Sequence, residues 1–321
     1  MGRGDVASES GSGSGSAGAP EAWGEGLERG EVPRGKASAA KFAYAWFGAS
    51  VAVGAAVGRG VVRGGEGHVG FWSAATLWAA MLWAAHAAGG RAMPEGMLQR
   101  LVQRRAVAEF ATRTMSVVHS TAASVWAGEV LLGAAQPDLF SGPLSAGWSP
   151  MVRRALEVSV AYMSVDLGMS VRQAWVGRAE ARAGRLRVAE DIVHHVVTIV
   201  AQAWALGHAC YGAFVALLLL TEITTPILNA RWFLSQAQAG PAQLMAVSVA
   251  LMVGFLLFRC ANYVFMAYLV VARWDELGEP VGTAMLVITS LLMGTLNFYW
   301  MGLMVRRARE MTRDTSRALT H

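Results

Sequence analysis

Apolar residues in this chain come in long blocks that are separated by short polar segments. Each block is about 20 residues long, the length of helix that crosses roughly 30 Å of hydrocarbon. The candidate spans are residues 42–58, 69–88, 115–135, 156–176, 192–212, 213–233, 244–271 and 281–305. The first block is short and rich in glycine and alanine, so it either crosses the membrane or forms an amphipathic or re-entrant helix. The pattern predicts an all-α fold, a polytopic transmembrane helix bundle of seven or eight spans.

The composition excludes a soluble globular domain. Of the 321 residues, 54% are hydrophobic and only 15% are charged, and the mean hydropathy is +0.38. A soluble protein could not cover that much apolar surface. The net charge of +5 does not indicate a nucleic-acid partner, because the arginines lie in short loops and the sequence has no groove-reading motif. The protein must act on or within the bilayer.

The arginines are distributed unequally between the two ends of the predicted spans. Fourteen lie in or beside loops of one parity and the basic C-terminal segment, and five lie in loops of the other parity. The positive-inside rule therefore places the first set, with the C-terminus, in the cytosol. Residues 191–234 must then cross the membrane twice, and 44 residues are just enough for a tight helical hairpin.

The two ends of the chain differ from its apolar centre. Residues 1–41 combine a Gly/Ser alternation with scattered acidic residues, a composition that is typical of disorder. After this tail we place N-terminal membrane spans at 42–103, a core domain at 104–309 and a basic cytosolic tail at 310–321.

A polar stripe runs along the fifth span. Asp191, His194, His195, Thr198 and Gln202 recur every three or four residues, which places them on one helical face. An ionisable group at membrane depth costs about 2.5–3.5 kcal/mol, so such a stripe is the first place to look for function. We interpret this face as directed towards protein or water.

Five other spans carry polar groups at similar depth. They are Arg113 and His119 in the third span, Tyr162 and Asp166 in the fourth, Glu222, Asn229 and Arg231 in the sixth, Arg259 in the seventh and Asn297 in the eighth. We expect these groups to converge on one cavity. Asp166 and Glu222 also suit a purely structural role as charge partners of the arginines, and Arg259 suits a carboxylate or a lipid phosphate equally well.

Several of these segments resemble the TLC-domain family of membrane proteins in their order and spacing. They are R-x-x-S-x-x-H-S at 113–120, Y-x-x-x-D-L at 162–167, D-I-V-H-H-V-V-T at 191–198, L-T-E-I-T-T-P-I-L-N-A-R-W-F-L at 220–234 and the later Arg259. The resemblance covers residues 104–309 and implies that the core domain has a TLC-type fold. It also implies a role in the composition or handling of membrane lipids, with the endoplasmic reticulum or another endomembrane as the expected location.

Within that family the chain is more similar to the small TLC-domain proteins of membrane lipid homeostasis than to the ceramide synthases. Ceramide synthases share a His-His-x-x-Thr segment, matched by His194, His195 and Thr198, and follow it with a His-Asp-x-x-x-Asp motif. The corresponding stretch here reads T-E-I-T-T-P at residues 221–226, so that histidine and the first aspartate are replaced. The paired histidines remain, and N-acyl transfer from acyl-CoA stays open.

Three mechanisms are compatible with these residues. The first is a protein that recognises a lipid acyl chain or headgroup and regulates membrane composition. The second is an acyl-CoA-dependent N-acyltransferase that resembles ceramide synthase, and the third is a lipid transporter or scramblase. Whether the protein is an enzyme, and its oligomeric state, are left open by the sequence.

The candidate catalytic residues, if the protein is an enzyme, are His194 and His195 with Asp191. One histidine would act as general base or nucleophile, and Asp191, one turn away, would fix its tautomer. Spacing from Asp191 favours His195 for this role. The competing interpretation is that both histidines are buried groups that bond between helices. The candidate lipid- or substrate-binding residues are Arg113, His119, Asp166, Thr198, Glu222, Asn229, Arg231, Arg259 and Asn297.

No metal or cofactor is expected from the sequence. Of the seven histidines only His194 and His195 are clustered, and Cys210 and Cys260 form no metal-ligand spacing. A GxGxxG or P-loop motif in a suitable context is also missing. The expected partners are membrane lipids and, for the transferase, acyl-CoA.

The topology can be tested by cysteine labelling. The loop 177–190 and the segment after Val305 should both face the cytosol, because an even number of predicted spans separates them. Single cysteines at Ala183 and Ala318, in a background lacking Cys210 and Cys260, are expected to react with an impermeant maleimide from the cytosolic side only. Reaction from opposite sides would contradict the eight-span interpretation. A cysteine at Ser12 then reports whether residues 42–58 cross.

Overall fold

The apolar blocks of the sequence form long helices that pack side by side. The protein is seen in a computed structural model that describes residues 34–63, 70–103, 106–132, 140–175 and 182–319. Every regular element within these ranges is helical. Residues 1–33, the greater part of the predicted disordered tail, lie outside the described residues.

The helices follow one another with short connections. They are α1 (Arg34–Arg63), α2 (Phe71–Ala92), α3 (Glu95–Gln103), α4 (Val107–Leu131), α5 (Pro150–Trp175), α6 (Arg182–His208), α7 (Gly212–Leu220), α8 (Thr224–Gln236), α9 (Pro241–Phe255), α10 (Asn262–Ala272) and α11 (Pro280–Leu319). A 3₁₀ turn, Thr221–Ile223, joins α7 to α8, and a π-helical turn, Leu256–Ala261, joins α9 to α10. Each of these two pairs is therefore one continuous stretch of helix.

By their length and composition, four stretches among the described residues are long and apolar enough to cross a membrane. They are Ser38–Val61, Gly212–Gln236, Pro241–Ala272 and Pro280–Glu310. The first of these contains the weakest predicted span, residues 42–58, which is part of a 30-residue helix. α6 and α7, the two helices of the predicted hairpin, are separated only by residues 209–211. The protein is thus an all-helical membrane protein.

Two boundaries differ from the sequence prediction. α1 begins at Arg34, so this helix includes the last eight residues of the predicted tail. These residues are rich in alanine, a strong helix former, and Ala39 is buried against Met97 and its neighbours. The short helix α3 was not predicted, because nine residues that bury only Met97 and Leu101 leave a weak pattern.

α4 lies at the centre of the bundle, where it contacts α1, α2, α5, α7 and α8. Fourteen of its 25 residues are buried. A helix that is surrounded by other helices meets little lipid, so it can carry buried polar groups such as Thr112, His119 and Ser120. This position makes α4 the scaffold of the polar centre.

Pro226 explains the irregular join between α7 and α8. Proline has no N–H for the carbonyl four residues earlier, and it is tolerated only in the first turn of a helix. Accordingly α8 begins at Thr224, two residues before Pro226, and the 3₁₀ turn precedes it. Thr221 and Thr224 donate their hydroxyls to the carbonyls of Leu218 and Thr221, at 2.7 and 3.1 Å.

The opposite end of the bundle from α3 is held by one arginine. Arg273, just beyond α10, donates to the carbonyls of Phe140 and Gly142, each at 2.8 Å, and to the Glu276 carboxylate at 2.7 Å. The hydrogen bond from Arg273 lowers the pKa of the Glu276 carboxyl below its usual value. Arg273 thereby ties the loop after α10 to the segment before α5.

Two glycines of α1 allow its backbone to approach α4 closely. A Cβ atom at Gly54 would lie 2.6 Å from the carbonyl oxygen of Val118, and one at Gly58 would lie 2.8 Å from that of Ala122. The spacing of four residues places both on one face, as in small-residue interfaces of membrane helices. Gly54 and Gly58 therefore serve the packing of α1 on α4. Gly168 has no such role, because a Cβ there would meet nothing within 4 Å.

The close approach predicts that a Gly→Ala substitution has different effects on stability at two positions in α1. Gly54→Ala should destabilise the protein by about 1–3 kcal/mol, because the backbone of α4 cannot yield to the new methyl group. Gly48→Ala adds the same methyl group where nothing lies within 4 Å, so it should be neutral or stabilise by up to about 1 kcal/mol. The free energy of unfolding in mixed micelles measures both. Equal effects would contradict the interface.

Candidate functional site

The polar centre is organised around His195, which is 5% exposed and joins α6 to α5. Its Nε2 lies 3.0 Å from Oδ2 of Asp166, and its Nδ1 lies 2.8 Å from the backbone carbonyl oxygen of Asp191. Both ring nitrogens are therefore engaged. The contact with Asp166 joins α6 directly to α5.

The partners of His195 restrict where its protons can be. A carbonyl oxygen only accepts, so Nδ1 must carry a hydrogen. Nε2 faces a carboxylate oxygen, so one proton is shared between His195 and Asp166, either on the imidazole or on the carboxyl group. In both states His195 has no free lone pair for attack on a substrate. Its geometry is that of a positioning residue.

Asp166 is also held by an aromatic cluster on the side of α4. The hydroxyl of Tyr162, one turn before it, donates to Oδ2 at 3.0 Å. The Tyr162 ring stacks on His119 with centroids 3.8 Å apart and an angle of 8°, and Trp78 packs edge-on against it at 5.4 Å. His119 in turn meets Ser159 at 3.3 Å. Trp78 of α2 and His119 of α4 thus hold Tyr162 of α5, and Tyr162 holds the Asp166 carboxylate.

Asp191 has a smaller role than the sequence suggested. Its carboxylate is 3.6 Å from Nδ1 of His195, beyond hydrogen-bond distance, and it accepts a hydrogen bond from the Ser170 hydroxyl instead. The backbone of Asp191, and not its side chain, fixes the tautomer of His195. The carboxylate partner of His195 is Asp166. Because Asp166 lies on a different helix, the spacing of residues along α6 could not show it.

His194 differs from His195 in what surrounds it. Its ring lies 5.4 Å from that of His195 and 6.0 Å from that of Trp300 on α11. Its Nδ1 is buried and has no hydrogen-bond partner in the described part of the chain. Of the two histidines, His194 is the one with a ring nitrogen available to a ligand.

Arg259 occupies the π-helical turn between α9 and α10 and is 7% exposed. Its Nε donates to Oγ1 of Thr224 at 2.7 Å, Nη1 to Oδ1 of Asn297 at 3.1 Å and Nη2 to Oγ1 of Thr225 at 3.1 Å. The Thr225 hydroxyl donates in turn to Oε2 of Glu222 at 2.9 Å. Within the described structure, the hydrogen-bond partners of the Arg259 guanidinium are therefore all neutral. The Glu222 carboxylate is connected to it through the Thr225 hydroxyl.

A π-helical turn inside a longer helix often marks a functional position, because the extra residue re-aims one side chain. Here the turn directs Arg259 towards Thr224, at the start of α8, and Asn297, near the middle of α11. A guanidinium has five N–H donors, and three of them are used. The remaining donors suit an anion or a carbonyl oxygen.

A second polar cluster lies one to two turns away, between α4 and α8. Arg113 pairs with Glu109 at 2.7 Å and donates to Asn229 at 3.0 Å, and its guanidinium lies 4.9 Å from the Trp232 ring centroid. Asn229 also donates to Ser116 at 3.1 Å. These contacts account for the charges of Arg113 and Glu109 without a ligand.

The structure brings together most, and not all, of the predicted residues. His119, Asp166, His195, Glu222, Arg259 and Asn297 lie in the polar centre, whereas Arg231 faces α9 and donates to Ser248 at 2.8 Å. Asp166 bonds to His195 and Tyr162, so the expected pairing of Asp166 with an arginine is wrong. Thr198 is one turn beyond His194 on α6, half-buried.

Sequence reasoning placed Tyr162 among the converging polar groups, because it is four residues before Asp166 and shares its helical face. It assigned no site role to Ser170, Thr225 or Trp300. Ser170 and Trp300 reach the centre from other helices, and no spacing in the sequence reports such contacts.

A narrow cavity of about 40 Å³ continues the stripe of α6 away from the histidines, between α6, α7 and α11. Gln202, Tyr211 and Thr289 are among its lining residues, and Oε1 of Gln202 is buried without a partner among the described residues. The volume suits one or two water molecules. Within the described ranges no three His, Cys, Asp or Glu side chains are close enough to share a metal ion.

The sequence model of the TLC domain family, named for TRAM, LAG1 and CLN8, matches residues 109–306. The chain belongs to the TLC domain family. The matched range contains every predicted site residue, from Arg113 to Asn297, and omits α1, α2 and α3. The polar centre is therefore a feature of the TLC domain itself. Comparison with curated proteins and with solved structures gave no match.

The bond between His195 and Asp166 predicts a strong energetic coupling. In a double-mutant cycle of His195→Ala and Asp166→Ala, the coupling should be about 1–3 kcal/mol in the free energy of unfolding, because His195 is buried and Asp166 is largely shielded from solvent. Arg307 and Glu310, a more exposed pair on α11, provide the control and should couple by about 0.5 kcal/mol or less. Coupling no larger than in the control would show that the pair does not hold α5 to α6.

Proposed function

We propose that this TLC-domain protein acts in membrane lipid homeostasis by holding the polar end of a lipid in the centre formed by His194 and Arg259. The observation that supports this most directly is the buried, unpartnered Nδ1 of His194. An unsatisfied buried polar atom costs about 1–3 kcal/mol, and at membrane depth water does not compensate it. A ligand that donates to this nitrogen removes the cost.

The position of the centre favours a lipid over a water-soluble ligand. α6 exposes Val193, Val196 and Val200 on one side, and α11 exposes Ile288 and Leu291. These apolar faces are suited to contact with acyl chains. A lipid that lies along them can turn its carbonyl, hydroxyl or charged group inward between the two helices.

The charge balance of the centre favours a ligand with an acceptor oxygen. Arg259 is bonded to hydroxyl and amide oxygens and carries a positive charge that Glu222 meets only through Thr225. Hydrogen bonds from a guanidinium to an ester carbonyl, carboxylate or phosphate oxygen are strong where water is excluded. His194 and Arg259 together could hold a group that both donates and accepts.

The proposal includes a topology and a location. The long helices are arranged as seven or eight spans with the C-terminus in the cytosol, which the distribution of arginine supports. Membership of the family favours the endoplasmic reticulum or another endomembrane. Proposed partners are membrane lipids.

Replacement of His194 separates a functional role from a structural one. Because Nδ1 of His194 has no partner to lose, His194→Leu should leave the free energy of unfolding unchanged or raise it. The same variant should lose the change in cellular lipid profile that the wild-type protein causes, and should crosslink at least about tenfold less to a photoactivatable phospholipid.

Two further variants serve as controls. His208→Leu changes an exposed histidine at the far end of α6 and should preserve both readouts. His195→Leu should lower the free energy of unfolding, because it breaks the bond to Asp166. A His194→Leu variant that keeps the wild-type lipid profile and crosslinking would overturn the proposal.

N-acyl transfer from acyl-CoA is a second candidate, and the geometry of the histidines favours it in one respect. His195 has both nitrogens engaged, while His194 keeps one free, as a nucleophile or general base requires. His194 would attack the thioester carbonyl and release the CoA thiolate, and an amine would then displace the imidazole from the acyl group. This choice reverses the preference for His195 that spacing alone suggested.

An assay in lipid nanodiscs distinguishes the three mechanisms. Transfer of a labelled acyl chain from acyl-CoA to a long-chain base, lost in His194→Leu and retained in His208→Leu, would establish the acyltransferase. Lipid binding without transfer supports the recognition mechanism. Movement of labelled lipid between leaflets of proteoliposomes, without either of these, would support a transporter or scramblase.

A further inference from the structure

A groove opens between α9 and α11 towards the arginine-rich end of the bundle, away from the polar centre. Its volume is about 440 Å³, and it is lined by Met252 of α9 and by Val305, Ala308, Arg309 and Arg313 of α11. The two helices touch each other at few points, so the space between them is open to the lipid phase.

The two arginines of the groove differ from their neighbours in how they are paired. Arg306 and Arg307 both reach the carboxylate of Glu310, at 3.9 and 3.0 Å. Arg309 and Arg313 are exposed, and neither has a carboxylate partner among the side chains that the structure describes. They are four residues apart, so their guanidinium groups project from the same face of α11.

The groove is apolar at one end and basic at the other. Met252, Val305 and Ala308 are apolar, and the basic end at Arg313 is about 12 Å from Val305 along the helix axis, given a rise of about 1.5 Å per residue. A phospholipid likewise has an apolar acyl chain next to a charged headgroup, so it matches the groove in both polarity and length.

We propose that this groove binds one anionic glycerophospholipid, with its phosphate between Arg309 and Arg313 and an acyl chain along Met252 and Val305. Guanidinium groups bind phosphate through paired, charge-assisted hydrogen bonds. Two arginines without a carboxylate favour a headgroup with net negative charge over a zwitterionic one. The predicted topology places this end at the cytosolic leaflet, where anionic lipids attract basic segments.

The site is distinct from the proposed lipid centre at His194. The groove residues lie on the outer side of α9 and α11, and none of them is bonded to the polar centre among the described contacts. The protein would thus recognise lipid at two depths, through a buried centre and through a headgroup site at the membrane surface.

Native mass spectrometry of the full chain tests this site. The probes are phosphatidic acid and phosphatidylcholine with identical acyl chains. Wild-type protein should bind phosphatidic acid preferentially. Since each arginine near an anionic group contributes a factor of about five, Arg309→Gln with Arg313→Gln should weaken that binding about 30-fold and leave phosphatidylcholine binding unchanged.

The matched control is Arg306→Gln with Arg307→Gln. It removes the same charge from the same helix, at residues that pair with Glu310 and do not line the groove. The control should change phosphatidic acid binding by less than about threefold. Equal loss in both double variants would overturn the proposal, because it would show a general effect of charge.

Two further measurements define the ligand. Met252→Trp fills the apolar end of the groove and should weaken phosphatidic acid binding although both arginines remain. If it does not, the acyl chain does not lie in the groove. Millimolar inorganic phosphate should not displace the lipid, and displacement would show a phosphate site in place of a lipid site. Size-exclusion profiles identical to wild type confirm that each variant is folded.

Discussion

A charged or hydrogen-bonding side chain in the hydrocarbon core must find its partner on a neighbouring helix, because no water is available there. The bond between His195 and Asp166 meets this requirement for α5 and α6, and the bonds of Arg259 meet it for α8 and α11. Both sets converge near α4, the central helix. These contacts fix which faces of α5, α6, α8 and α11 meet one another.

Because a polar group in the hydrocarbon core needs a partner, the groups that lack one are candidates for ligand binding. Most polar atoms of the centre are satisfied within the protein, and the exceptions are Nδ1 of His119, Nδ1 of His194 and the unused donors of Arg259. Of these, His194 lies between α6 and α11, whose exposed faces carry valine, isoleucine and leucine. A lipid supplies both the apolar chain and the polar end that this arrangement lacks.

The two histidines show how neighbours in sequence take different roles. Adjacent residues on a helix point about 100° apart, so His195 faces α5 and His194 faces α11. His195 shares a proton with Asp166 and so fixes α6 against α5, whereas His194 leaves one ring nitrogen without a partner. Division of this kind is common where a rigid support must position a reactive or binding group.

The sequence by itself determined the helical membrane fold, the TLC family and the helices that carry the polar groups, because hydrophobic periodicity and residue spacing are local properties. It did not determine which groups pair. That Asp166 rather than Asp191 holds His195, that His194 is the open histidine and that Arg259 sits in a π-helical turn depend on helix rotation and register. Contacts between residues 29 to 38 positions apart are set by how whole helices pack, and only the tertiary structure decides them.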